Sequence, residues 1–122
     1  MEPPEHPQKP KISIVGPCTS GKSTLTAALR NAGYPTRQPA QEHSYVSDMW
    51  QQLTDPDILI YLDVSYPSAR QRRPISWGAE RLVEQAQRLA HARQHADLYL
   101  NTDILSPDEV QQSVFAFLKE NP

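Results

Sequence analysis

Eight residues constrain this chain more than any other stretch. Gly16-Pro17-Cys18-Thr19-Ser20-Gly21-Lys22-Ser23 reads G-x-x-x-x-G-K-S. Ahead of it, Ile12, Ile14 and Val15 form a short β-branched run, the pattern of a buried strand. Behind it, Ser23 to Arg30 reads as a helix. Strand, glycine loop and helix in that order make a backbone cradle for phosphate. A glycine at each end allows a tight turn with the N–H groups facing inward. Successive donors from Ser20 to Ser23 form an anion nest, and the first turn of the helix adds its own unpaired donors and the positive end of its dipole. Lys22 would reach the β- and γ-phosphates and the Ser23 hydroxyl would ligate Mg²⁺. Pro17, Cys18, Thr19 and Ser20 fill the variable positions, and Thr24 continues the first helical turn.

The remaining chain supplies the frame for such a loop. At 122 residues it is long enough for one domain with a core, expected over residues 11–122. Residues 1–10 carry four prolines without apolar periodicity and read as a disordered lead-in, His6 included. A net charge of −2 with interspersed signs gives no broad footprint for nucleic acid. No apolar run approaches the ~20 residues of a membrane span, and no signal-peptide core is visible. A single cysteine precludes an internal disulfide and fits a reducing cytoplasm. Cys18 lies where a helix N-terminus would stabilise a thiolate, so an oxidation-sensitive brake is one reading and an ordinary loop residue the favoured one.

Along the chain, the helix after the loop should stop at Gly33, with Leu25, Ala28, Leu29 and Ala32 toward the sheet. Residues 34–38, bracketed by Pro35 and Pro39, predict a short edge strand. Residues 45–53 predict a helix whose apolar face is Val46, Met49, Trp50 and Leu53; Trp50 belongs to core rather than to a base-stacking site. Asp57 to Val64, DILIYLDV, is a near-continuous apolar run ending in Asp63. An acid at the carboxyl end of a parallel strand points toward the ligand crevice. Residues 67–73 read as a short helix with Arg70, Arg72 and Arg73 clustered at its end. Residues 79–95 read as one long polar helix with Leu82, Ala86, Leu89 and Ala90 on one side. His91 and His95 are four apart on it, and a solvated or capping role is favoured over a shared metal. Residues 96–101 predict a fourth strand. Ser106-Pro107-Asp108-Glu109 is a helix start with a capping box, and Val110, Val114, Phe117 and Leu118 give that helix its buried face. Alternating strands and helices predict an α/β three-layer sandwich with a four-stranded parallel sheet.

From residue 11 onward the chain resembles the P-loop nucleoside and nucleotide kinases. The loop itself carries the likeness to P-loop proteins at large. DPDILIYLDVSYPSARQRR (residues 55–73) looks like the strand, substrate-side turn and arginine-bearing lid of those kinases. ADLYLNTDILSPDEV (residues 96–110) looks like their last strand, adenine-side loop and final helix. Two departures stand out: the region between the second strand and DILIYLD is short, and the lid is reduced to residues 74–78. The resemblance implies an ATP-dependent phosphotransferase using Mg²⁺ and a small acceptor. Lys22 and the loop would bind the phosphates. Ser23 and Asp63, or Glu42 in its place, would serve the metal and the acceptor. Arg70, Arg72 and Arg73 would stabilise transferred charge. Thr102 and Asp103 would lie on the adenine side. The rivals are a nucleotide-binding switch with slow hydrolysis and a GTP switch. The guanine-reading N-K-x-D pattern is absent, since Asn101-Thr102-Asp103 lacks the lysine. Exposed apolar helix surface, with Trp50, Trp77 and Phe117 as candidates, suggests a homodimer.

Overall fold

The computed structural model describes residues 9–72 and 78–120. The Arg73, Trp77 and His6 assignments therefore lie outside the described residues. Four parallel strands form one sheet in the order β2-β1-β3-β4: β1 Ile12–Val15, β2 Thr36–Arg37, β3 Ile58–Asp63 and β4 Leu98–Asn101. The central strands β1 and β3 are buried on both faces, which explains the near-continuous apolar run of β3; β1 is apolar except for the buried Ser13. β2 is two residues long and lies at an edge, as its flanking prolines require.

The described residues form six α-helices: α1 Lys22–Asn31, α2 Met49–Thr54, α3 Tyr66–Arg72, α4 Ala79–Arg88, α5 Ala90–His95 and α6 Pro107–Glu120. On one face, Leu25 and Leu29 of α1 and Val110, Val114 and Leu118 of α6 pack on Ile12, Ile14, Ile58, Ile60 and Leu62. On the other, Trp50, Leu89 and Ala92 pack on Val15, Leu59 and Tyr61. The result is three layers, helix on sheet on helix. Gly33 ends α1 in the left-handed region at φ +92°. At the start of α6, Glu109 N–H donates to Ser106 Oγ and Ser106 N–H to Glu109 Oε1, the reciprocal pair expected there.

Two helical assignments change. Of the segment predicted as a helix over residues 45–53, only residues 49–53 are helical, within α2; a 3-10 turn, Gln41–His43, precedes the segment. Trp50 alone of its supposed face is buried; Val46 and Leu53 are exposed. The cause is Gln41, which is fully buried. Its amide NH₂ donates to the carbonyls of Val46 and Arg88, and its oxygen accepts from Trp50 N–H at 2.8 Å. Those bonds hold residues 44–48 out of the helix and start it late. The helix predicted over residues 79–95 is interrupted at Leu89, and its inward residues are Gln85, Leu89 and Ala92. Ala86 and Ala90 face outward, because the buried position is taken by an amide with partners across the fold.

The chain passes from β1 outward to β2, then crosses back over β1 to β3. The sheet therefore reverses direction of growth between β1 and β3, and ligands of open parallel sheets bind beyond the strand ends at such a reversal. Gly16 leaves β1 at this seam. A Cβ there would stand 2.1 Å from the Leu62 carbonyl oxygen, a backbone atom that the sheet holds in place. Gly16→Ala should destabilise the protein by about 2 kcal/mol or more through forced overpacking, read as a lower urea midpoint with unchanged slope. An unaltered midpoint would show that the two strands do not press together here.

Candidate functional site

The loop between β1 and α1 is built from two left-handed residues, Thr19 at φ +69° and Gly21 at φ +99°. They turn the chain so that α1 begins at the seam. Among the described residues no side chain caps this helix end, and its first turn holds no acid. The amides of Lys22, Ser23 and Thr24 have no acceptor within the helix. An uncapped positive helix end attracts an anion.

Lys22 leans back over the loop. Its Nζ donates to Gly16 O at 2.6 Å and is ion-paired with Glu42 Oε2. Burial pulls the ammonium down to about 8, with Cys18 acting in the opposite sense. Glu42 sits in the 3-10 turn and is 3% exposed, and its Oε1 has no partner among the described residues. Thr19 Oγ1 and Ser20 Oγ are buried without partners in the same way. Three buried polar atoms around one loop are thus open to a polar partner, water included.

Two cavities flank the loop and meet at Thr19, Gly21, Thr24 and Arg72. One, of about 300 Å³, is polar and is lined further by Cys18, Lys22, Ser23 and Glu42. The other, of about 210 Å³, reaches the β4–α6 loop and is lined by Leu25, Thr102, Leu105, Pro107 and Val110. A charged compartment beside an apolar one suits a ligand with an anionic end and a flat apolar end.

The arginines separate. Arg72 Nη1 donates to Thr19 O and to Thr102 Oγ1, each at 2.9 Å, and Nη2 donates to Thr102 O. It bridges the loop to the end of β4. Arg70 is exposed and lies over the Tyr66 ring of its own helix. Thr102 is 3% exposed; its N–H and Oγ1 both donate to Asp63 O, at 2.9 and 2.7 Å. Asp103 accepts from Ser65 N–H at 2.9 Å; burial would raise its pKa, but bonds from Ser65 and Ser68 outweigh that and lower it.

Asp63 and Ser23 are not brought together. The Asp63 carboxylate accepts from Tyr99 OH at 2.5 Å and from Val64 N–H at 2.9 Å, and it does not line the polar cavity. Burial, with Asp63 and Tyr99 adding to it, pushes the Tyr61 hydroxyl up to about 12. Ser23 Oγ instead meets the Gln38 amide at 3.4–3.5 Å. Pro17 is buried within the loop. His91 and His95 pack on Trp50 rather than standing free, and Trp50 Nε1–H donates to His91 Nδ1 at 3.1 Å.

Sequence reasoning missed Gln85. It is 1% exposed; its oxygen accepts from Cys18 N–H at 2.9 Å and its NH₂ donates to Cys18 Sγ at 3.5 Å. This amide holds the crest of the loop from the opposite side of the sheet. A lone Gln on a polar helix carries no local signal of such a role. What the architecture establishes is an α/β protein with a four-stranded all-parallel sheet and six helices, compatible with a P-loop fold. No protein-family model and no curated protein matches the chain. Among the described residues, no helix is long and apolar enough to cross a membrane. Gln85→Ala should cost about 1–3 kcal/mol, because the Cys18 N–H is left unpaired. Urea denaturation checks this, and a stability equal to the parent would mean that water replaces the amide without loss.

Proposed function

We propose that the chain binds a Mg²⁺–nucleoside triphosphate, ATP first, and acts as an ATP-dependent phosphotransferase toward a small acceptor. The observation that carries this is the uncapped, acid-free start of α1 behind Gly16–Ser23, with the half-buried Lys22 beside it. The loop amides and Lys22 would take the phosphates in the polar cavity. The base would enter the apolar cavity by Leu105 and Val110. Lys22 would exchange Gly16 O for phosphate oxygens, which give an ammonium charge-assisted bonds in place of a neutral carbonyl.

Ser23 and Glu42 line one cavity, and both carry the oxygen donors that Mg²⁺ takes. Bound there, the metal would neutralise charge between the β- and γ-phosphates. Glu42 is the acid placed for that role or for orienting an acceptor hydroxyl; Asp63 is engaged with Tyr99. Arg72 would turn from Thr19 O toward the transferred group. Arg70 has no such reach while it lies over Tyr66.

A second reading is a nucleotide-dependent switch without efficient transfer. It is favoured by the Lys22–Glu42 ion pair, which already occupies the acid that an acceptor would need. Product analysis with labelled ATP separates the two: transfer to an acceptor supports the kinase reading, and tight binding with very slow hydrolysis supports the switch.

Lys22→Ala should weaken ATP binding by about 100-fold, from loss of a charge-assisted contact worth ~3 kcal/mol. Arg72→Ala should weaken it about 10-fold, whereas Arg70→Ala should change it less than ~2-fold. Calorimetric titration with ATP, ADP and GTP, with and without Mg²⁺, reads all three variants. Equal losses for Arg70→Ala and Arg72→Ala would contradict the assignment of Arg72, and equal affinity for GTP would contradict the preference for adenine.

A further inference from the structure

We infer that Cys18, Glu42 and His43 form a binding site for a soft divalent cation of the zinc class, at the mouth of the phosphate loop, whose occupation opposes nucleotide binding. The second half of this inference rests on the phosphate-binding reading; the first half does not.

One thiol, one carboxylate and one imidazole offer donor atoms that all lie within 4.8 Å of one another. Cys18 Sγ and His43 Nε2 are 3.8 Å apart. Tetrahedral zinc, with bonds of about 2.3 Å to sulfur and ~2.0 Å to nitrogen, sets such donors roughly 3.5 Å apart. The sulfur and the nitrogen therefore need a shift of only a few tenths of an ångström. The donor set selects the cation: thiolate and imidazole favour zinc-class ions, while Mg²⁺ demands oxygen. Three protein ligands leave a fourth position open to water.

A second observation points the same way. Glu42 is 3% exposed, and its Oε1 is buried without a partner, although Oε2 holds Lys22. A buried carboxylate with one oxygen unsatisfied among the described residues has capacity for a second cation. The thiol is also supported from behind. Gln85 fixes Cys18 through its backbone N–H and its sulfur, the kind of outer contact that orients a metal ligand. Entry is open, since His43 is exposed and Cys18 and Glu42 line the polar cavity.

Binding breaks the Cys18 S–H bond, releases its proton to solvent and forms a sulfur–metal bond; His43 contributes the lone pair of Nε2. The cation then shares Glu42 with Lys22 and occupies the cavity proposed for the phosphates. Metal and nucleotide would each lower the other's affinity by the same factor.

Cobalt(II) is the probe, titrated into the full chain without nucleotide in a thiol-free reductant. Saturation at one equivalent, with a thiolate-to-cobalt charge-transfer band and the visible bands of four-coordinate cobalt, is expected; Zn²⁺ should displace it. Cys18→Ser should abolish the charge-transfer band, and His43→Ala should weaken binding by at least ~10-fold. Circular dichroism checks that both variants are folded. No charge-transfer band at ~1 mM cobalt, a concentration far above that needed by a three-ligand site, overturns the site. A band of unchanged affinity in folded His43→Ala also overturns it. ATP titration in the presence of a chelator tests the phosphate reading separately. ATP affinity that is measurable and unaltered by one equivalent of Zn²⁺ overturns the antagonism.

Discussion

The close approach of Gly16 to the Leu62 carbonyl sets the geometry of everything functional in this chain. It lets β1 and β3 stay in contact to the last residue of β1. The polypeptide must then turn sharply, and it does so through two left-handed residues, Thr19 and Gly21. The turn delivers the bare N-terminus of α1 to the seam where the sheet reverses its direction of growth. A side chain at position 16 would separate the strands and tilt the helix away. The close strand contact and the position of the helix end thus meet at one steric condition.

Buried polar groups then fix the walls around that helix end. Gln41 holds Trp50, Val46 and Arg88 together and so brings Glu42 against Lys22. Gln85 holds the Cys18 crest. Arg72 and Thr102 close the opposite side. Each amide or guanidinium has several partners, as burial of such groups requires. The exceptions are concentrated around the loop, at Thr19, Ser20 and Glu42, with Ser13 of β1 as the further case.

Much of the fold was legible because its signals are local. The glycine loop between a β-branched run and a helix, Gly33 after α1, the proline-bracketed edge strand and the Ser106–Glu109 capping pair each follow from a few adjacent residues. DILIYLD announced a strand covered on both faces. The failures all involve distant partners. The late start of α2 depends on Gln41 reaching Val46 and the Arg88 carbonyl, and the inward turn of Gln85 depends on Cys18, 67 residues away. Periodicity counts apolar residues and cannot register a buried amide. The site divides in the same way. The place of the loop between β1 and α1 followed from its pattern. The choice between Arg70 and Arg72, and between Asp63 and Glu42, was left to tertiary contacts: Tyr99 takes the Asp63 carboxylate and Lys22 takes Glu42.

The central claim is that the start of α1 is a phosphate-binding site. It is tested most directly by titrating ¹⁵N-labelled protein with Mg²⁺–ADP and following backbone amide shifts. The account predicts that the largest shifts fall on Ser20 to Thr24, with a second group at Thr102 to Leu105 beside the apolar cavity. Shifts confined to other surfaces, or no shift at saturating nucleotide, would contradict it.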